Sequence, residues 1–130
     1  MEYFTTPDVT YLTSPAMAGL PFSEAVRVGN LLFLSGQLGR DASGRIVPGG
    51  IAAETRQTME NIKAALERHG ASLDRVVKVT VFMADMAEWA EMNRVYVTYF
   101  PNHLPARSAL GANGLALGAR VEIECIAVVG

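Results

Sequence analysis

Only two segments of this chain have the spacing of an amphipathic helix, and this small number constrains the fold more than any other feature. The first covers residues 51–69 and is followed by Gly70, which suits a helix C-terminus. The second ends before Pro101, because proline cannot continue a helix. The expected buried stripes are Thr55, Met59, Ile62 and Leu66 in the first helix, and Trp89, Met92, Tyr96 and Tyr99 in the second.

The segments around these helices are rich in β-branched and apolar residues and predict the strands of a sheet. Gly29-Asn30 separates two of them and is a two-residue turn typical of a hairpin. The predicted strands are Ala25–Val28, Leu31–Ser35, Val76–Phe82 and Val121–Val128, with a strand or loop at Ala106–Leu110 and an optional edge strand near Tyr3–Thr6 or Val9–Thr13. The predicted order is therefore β-β-α-β-α-β-β, an α+β arrangement.

Two helices can cover only one face of such a sheet, so the other face must meet solvent or another subunit. Charged residues make up only 18% of the chain, below the ~25% of an average soluble protein. We therefore expect an oligomer in which other copies cover part of the surface.

Length and composition narrow the class of protein. The 130 residues suit a single domain, 1–130, and the net charge of −2 offers no basic surface for nucleic acid. The lone Cys125 can form neither an internal disulfide nor a cysteine-based zinc site. No basic start leads into an apolar run, and prolines interrupt the uncharged stretch 9–23. We expect a cytoplasmic protein with no membrane contact.

The last predicted strand carries two carboxylates on one face. Alternation places Glu122 and Glu124 together with Arg120, with the two glutamates about 6–7 Å apart. One interpretation is an exposed ladder of ion pairs with Arg120. The other is an acid–base carboxylate in a cleft between subunits, because helices leave this face uncovered.

Arg107 stands among small and apolar residues in the segment 104–110, and such a guanidinium needs an anionic partner. It could hold the carboxylate of a ligand through two parallel hydrogen bonds. Alternatively, it could form a structural salt bridge with Glu122 or Glu124.

Taken in order, several motifs resemble those of the RidA (YjgF) family from about residue 21 to the C-terminus. The matching segments are Pro21–Ala25, Val28–Asn30, Leu34–Gln37, Gln57–Ile62, Val77–Phe82, Met92-Asn93 with Tyr96, Pro105–Ser108 and Val121–Glu124. The resemblance implies a chorismate-mutase-like α+β protomer with a mixed sheet and two helices packed on one face. It also implies a homotrimer with a central β-barrel and sites between subunits.

The resemblance implies an activity as well: hydrolytic deamination of reactive 2-imino acids, such as the enamine and imine products of pyridoxal-phosphate enzymes, to 2-keto acids and ammonia. Neither a cofactor nor a metal is implied. The implied partners are small 2-imino and 2-keto carboxylates and further copies of the chain. The alternatives are a non-enzymatic trimer that binds small carboxylates or proteins and, on weaker grounds, an endoribonuclease that inhibits translation.

Site roles follow from the same resemblance. Arg107 would bind the substrate carboxylate, and Glu122 would position water and transfer protons. The residues implied to line or brace the pocket are Phe22, Ser35, Gly36, Asn93, Ser108 and Ala109. Two of them depart from the family pattern: Phe22 stands where a tyrosine is common, and Ala109 where a cysteine is often found.

Overall fold

Residues 8–130 are described by a computed structural model, and their main element is a six-stranded mixed sheet. The strands and helices are β1 (Val9–Leu12), β2 (Ala25–Val28), β3 (Leu31–Gln37), α1 (Gly50–Arg68), β4 (Val76–Met83), α2 (Trp89–Tyr96), β5 (Ala106–Gly111) and β6 (Val121–Val128). Short 3₁₀ turns join several of them.

The strand order in the sheet is β1-β2-β3-β6-β4-β5. Neighbouring strands are antiparallel except β4 and β5, which are parallel because α2 connects them. The predicted order of elements is confirmed, and the segment left open as strand or loop is strand β5. Strand β3 extends to Gln37, beyond the predicted Ser35. The optional front strand forms at Val9–Leu12, whereas Tyr3–Thr6 lies outside the described residues.

Both helices pack on one face of the sheet, as predicted. Apolar side chains of α1 and α2 share one core cluster with alternate residues of the inner strands. Cys125 belongs to this cluster, as its place in the alternation predicts, and burial is the main cause that raises the pKa of its thiol to about 12. The core therefore lies between the helices and the helix-facing side of the sheet.

The opposite face, here called the open face, has no helix over it and exposes large apolar side chains. Phe33 is 40% exposed and Leu110 is 44% exposed. Phe33 stands in register with Ile126, and Leu110 with Phe82, so side chains of four neighbouring strands form this surface. An apolar surface of this kind is typical of a contact between subunits.

The buried carboxylate of Glu24 joins the start of β2 to the end of α1. Its two oxygens accept hydrogen bonds from the Arg68 guanidinium at 2.9–3.1 Å. His69 Nε2 lies 2.7 Å from Oε1, and the Ser14 hydroxyl donates to Oε2 at 3.2 Å. His69 is the C-cap residue of helix α1, next to the C-terminus that its sequence position predicts. This cluster fixes the chain on either side of Phe22.

Candidate active site

Glu122 lies in a cavity of about 520 Å³ together with Phe22 and Gly36. Residues from β3, β6, the loop after β3 and helix α1 form its walls. Gly36 permits the close approach of the Glu122 side chain, because a Cβ at position 36 would lie 2.9 Å from the carboxylate carbon. Three of the residues predicted to form the site are therefore brought together within the chain.

The surroundings of Glu122 favour its protonated form more than water does. Burial raises the pKa of the Glu122 carboxyl, and the negative charge of Glu124 on the same face raises it further. A carboxyl whose pKa is raised in this way is suited to gain and lose a proton during a reaction.

The ion-pair ladder considered for this face does not form. Arg120 instead lies 3.0 Å from Glu88 and 3.7 Å from Glu54, and its backbone N–H donates to Glu54 at 2.8 Å. Within residues 8–130, Glu122 and Glu124 take part in none of the ion pairs. Arg120 thus links the start of β6 to Glu54 and Glu88 on the helix side. Glu122 and Glu124 lie on the open face and do not pair with it.

Arg107 lies apart from this cavity, beside helix α2. Its Nη1 donates a hydrogen bond of 2.7 Å to Asn93 Oδ1. Its guanidinium lies over the Tyr96 ring at 4.8 Å and over the Trp89 ring at 5.9 Å from the centroids. Asn93 and two aromatic rings therefore orient this cation, as a residue that binds a carboxylate in a fixed geometry requires.

Arg107 and Glu122 lie on opposite faces of the sheet. Arg107 stands in register with Val79, which is buried against the helices, whereas Glu122 stands in register with Phe82. Because residues 79 and 82 of one strand point to opposite faces, their partners do too. The salt bridge considered between Arg107 and Glu122 or Glu124 is therefore absent from the described part of the chain. The chain instead has two separate candidate site regions, which we call the two half-sites.

The remaining predicted site residues are placed by backbone and side-chain contacts. The Ser35 hydroxyl donates to the Ser23 carbonyl at 2.6 Å, which braces the segment next to Phe22. Ser108 accepts a hydrogen bond of 3.4 Å from Lys78. Ala109 packs partly buried against the core. Ser108 and Ala109 thus follow Arg107 on β5, one on each face of the sheet.

Some residues near the two half-sites were not predicted from the sequence. Trp89 was expected in the buried stripe of the second helix, but it is 43% exposed and faces Arg107. Arg40 lines the cavity that holds Glu122, although its turn-rich segment has no periodicity that indicates a site. The predicted stripe does hold for Met92 and Tyr96, which are buried.

Within residues 8–130, no group of three or more His, Cys, Asp or Glu side chains is arranged to hold a metal ion. Over the same residues, no helix is both long and apolar enough to cross a membrane.

Comparison with known proteins identifies the family. The model of the endoribonuclease L-PSP family matches residues 13–129. The 2-iminobutanoate/2-iminopropanoate deaminase of Mus musculus is 45% identical over 118 residues, which cover 90% of this chain and 87% of that protein. The Bos taurus protein of the same name is 47% identical over 118 residues, 90% and 85% of the two chains.

A solved structure agrees with these sequence matches. The crystal structure of YEO7_yeast superposes with a TM-score of 0.89 at 43% identity and covers 95% of this chain and 100% of its own. The fold is that of an α+β protein of the endoribonuclease L-PSP class. The chain belongs to that family, which is also the RidA (YjgF) family.

Proposed function

We propose that this protein is an enzyme that hydrolyses 2-imino acids. The reaction is R–C(=NH)–COO⁻ + H₂O → R–C(=O)–COO⁻ + NH₃, and none of its steps needs a cofactor. The observation that carries the proposal is the Glu122 carboxyl, which lies in a cavity and has a raised pKa. The names of the mouse and cattle relatives, 2-iminobutanoate/2-iminopropanoate deaminase, support the choice of substrate class.

In this mechanism Glu122 in its ionised form takes a proton from the water as the water oxygen adds to the imine carbon, and it delivers that proton to the imine nitrogen. The product of this step is a carbinolamine. The same carboxylate then moves the hydroxyl proton of the carbinolamine to the amino nitrogen, and the C–N bond breaks as the C=O bond forms and ammonia leaves. A carboxylate beside the water speeds such a step by about 10²–10⁴-fold. Gly36 leaves the space that this carboxylate occupies, and Phe22 forms an apolar wall of the same cavity.

Arg107 is proposed to bind the substrate carboxylate and so bring the imine carbon to the water. Asn93 orients the guanidinium through its 2.7 Å hydrogen bond. We further propose that Ser108 and Ala109 supply backbone groups next to the bound carboxylate, and that Ser35 braces the opposite half-site.

Arg107 and Glu122 can act on one substrate only if they come from different subunits, because they lie on opposite faces of one sheet. The proposed assembly is a homotrimer of 1–130 domains whose sheets form a central barrel. The apolar side chains of the open face, such as Phe33 and Leu110, support this arrangement since they would be buried inside the barrel.

The test is turnover of 2-iminopropanoate, generated in place from alanine by an amino acid oxidase. We expect the protein to release pyruvate faster than the spontaneous hydrolysis does, in proportion to enzyme concentration. A rate no greater than the spontaneous one, from protein that still binds pyruvate, would instead indicate a carboxylate-binding protein without catalysis.

A further inference from the structure

The cavity that holds Glu122 contains more charge than the proposed reaction uses. Two cations and three carboxylates line it: Arg40, Arg68, Glu24, Asp41 and Glu122. Hydrolysis of a simple 2-imino acid assigns a role to Glu122 alone among these five, and the substrate carboxylate is held by Arg107. The other four side chains therefore need a separate explanation.

Three of them already have partners within the chain. Glu24 and Arg68 form the ion pair that joins β2 to α1. Asp41 accepts hydrogen bonds from the Ser43 hydroxyl at 2.6 Å and from the backbone N–H groups of Ser43 at 2.9 Å and Arg45 at 3.1 Å. Asp41 thus closes its own turn, and Arg40 is the side chain left to be explained.

Arg40 is held in place by neutral groups. Its Nε donates to the Gly44 carbonyl at 3.1 Å, and its own carbonyl accepts from the Asn61 side chain at 2.9 Å. Gly44 leaves room for the guanidinium, because a Cβ there would lie 3.0 Å from Nη2. Within residues 8–130, none of the ion pairs includes Arg40. The partly buried guanidinium therefore retains Nη donors for an anion in the cavity.

We infer that Arg40 is a specificity-determining residue that binds a second carboxylate of the substrate, so that the site prefers dicarboxylic 2-imino acids. The inference rests on the proposed function, because Arg107 is assigned the carboxylate next to the imine. Arg40 then binds the carboxylate of the side chain R through charge-assisted hydrogen bonds. The bonds that form and break are those of the general reaction, with R carrying the second carboxylate.

The test compares two substrates in three proteins. 2-Iminosuccinate, generated from aspartate by an aspartate oxidase, carries the second carboxylate, and 2-iminopropanoate lacks it. The wild-type protein is compared with Arg40→Gln and with Arg45→Gln. Arg45 is the matched control, because it is an exposed arginine of the same turn that does not line the cavity.

We expect Arg40→Gln to lower kcat/KM for 2-iminosuccinate by about 10–100-fold, the size of a lost hydrogen bond to a charged group, and to leave 2-iminopropanoate nearly unchanged. Arg45→Gln should behave as the wild type on both substrates. Equal losses of kcat/KM on both substrates in Arg40→Gln would overturn the inference. An equal effect of Arg40→Gln and Arg45→Gln would also overturn it, because it would indicate only a long-range electrostatic effect of a positive charge.

A binding measurement separates this inference from the proposed function. Oxaloacetate and pyruvate are the products of the two substrates, and calorimetry measures their binding whether or not the protein is catalytic. Weaker binding of oxaloacetate by Arg40→Gln, with unchanged binding of pyruvate, supports the assignment even if no imine is hydrolysed. Unchanged binding of oxaloacetate overturns it even if the hydrolase activity is present.

Discussion

Glu122 gives the sharpest test at the scale of a single residue. Glu122→Gln keeps the size of the side chain and can still form hydrogen bonds, but it cannot carry a proton through the reaction. We expect kcat to fall by about 10²–10⁴-fold with the assembly intact, which steady-state kinetics and light scattering together measure. Glu124→Gln removes the same charge from an exposed position of the same face and should retain most of the activity.

The pH dependence follows from the raised pKa of Glu122. If the ionised form takes the proton from water, kcat/KM decreases as the pH falls through that raised pKa. Glu124→Gln removes the negative charge that helps to raise it, so the acidic limb of the profile should move to lower pH. Equal and mild losses in both variants, with no movement of the limb, would contradict the role given to Glu122.

Substitutions at two glycines, Gly36 in strand β3 and Gly39 just after it, test how β3 positions the Glu122 carboxylate. At Gly36 the three atoms nearest to an added methyl group all belong to the Glu122 side chain, which can move away. We expect Gly36→Ala to lower kcat/KM by roughly tenfold or more, because the displaced carboxylate no longer holds the water. Its melting temperature should stay close to that of the wild type.

Gly39→Ala is the matched comparison, since its methyl group would lie 2.7 Å from the backbone carbonyl of Glu54 in α1. A helix backbone cannot yield as a side chain does, so this variant should lose stability by about 1–3 kcal/mol. Thermal unfolding and kinetics on both variants separate the two effects. A Gly36→Ala protein that is fully active would show that the Glu122 position is not critical.

The Glu24 cluster makes the junction of β2 and α1 sensitive to acid. Burial raises the pKa of Glu24, but hydrogen bonds from His69 and Arg68 and their charges outweigh it, so the pKa is lowered. A carboxyl with a lowered folded-state pKa stabilises the fold above its unfolded pKa. That stabilisation is lost as the pH falls through the folded-state pKa.

Glu24→Gln should therefore lower the free energy of unfolding by about 1–3 kcal/mol at neutral pH, and the difference from the wild type should shrink in acid. Urea unfolding at pH 7 and near pH 3 measures both values. Glu67→Gln, an exposed change on the same helix, should follow the wild type at both pH values. A difference that stays constant with pH would mean that the Glu24 charge contributes nothing.

The elements themselves could be predicted because their signals are local. Alternation in 121–128 and helical spacing in 51–69 each depend on neighbours within a few residues. The Glu24 cluster has no such signal, since Arg68 and Glu24 are 44 positions apart in the chain. Trp89 fits the helical stripe by spacing, yet it lies where α2 meets the edge strand β5, and no core covers it there.

The relative positions of Arg107 and Glu122 on the sheet also could not be predicted from the sequence. Alternation gives the faces of one strand but does not say which residue of the next strand stands opposite. The register of β5 with β4 places Arg107 beside Val79 and turns it toward the helices. The residues of the two half-sites could therefore be predicted from the resemblance, but only the structure shows that they lie apart within one chain.

For the whole molecule, two inactive variants should restore each other if each site is shared between subunits. Arg107→Lys keeps the charge but lacks the two-pronged geometry, and Glu122→Gln lacks the proton carrier. In a cyclic trimer that contains both kinds of subunit, one interface joins a native Glu122 to a native Arg107. Mixed trimers should therefore show about one-third of the wild-type activity.

The experiment isolates mixed trimers from co-expressed subunits by two different affinity tags and measures 2-iminopropanoate turnover. The double variant Arg107→Lys/Glu122→Gln, mixed in the same way with either single variant, is the control and should remain inactive. Activity no higher than that of the single variants would show that the two residues do not meet across an interface. A stable monomer in light scattering would rule out the trimer directly.

Cys125 is a built-in chemical reporter of slow opening of the sheet. Its strand, β6, lies between β3 and β4 near the middle of the sheet, with helix α1 packed over it. A thiol with a pKa of about 12 in such a place cannot react while the sheet is closed. Labelling of this single cysteine by a thiol reagent therefore counts the openings of the central strands, without any engineered probe.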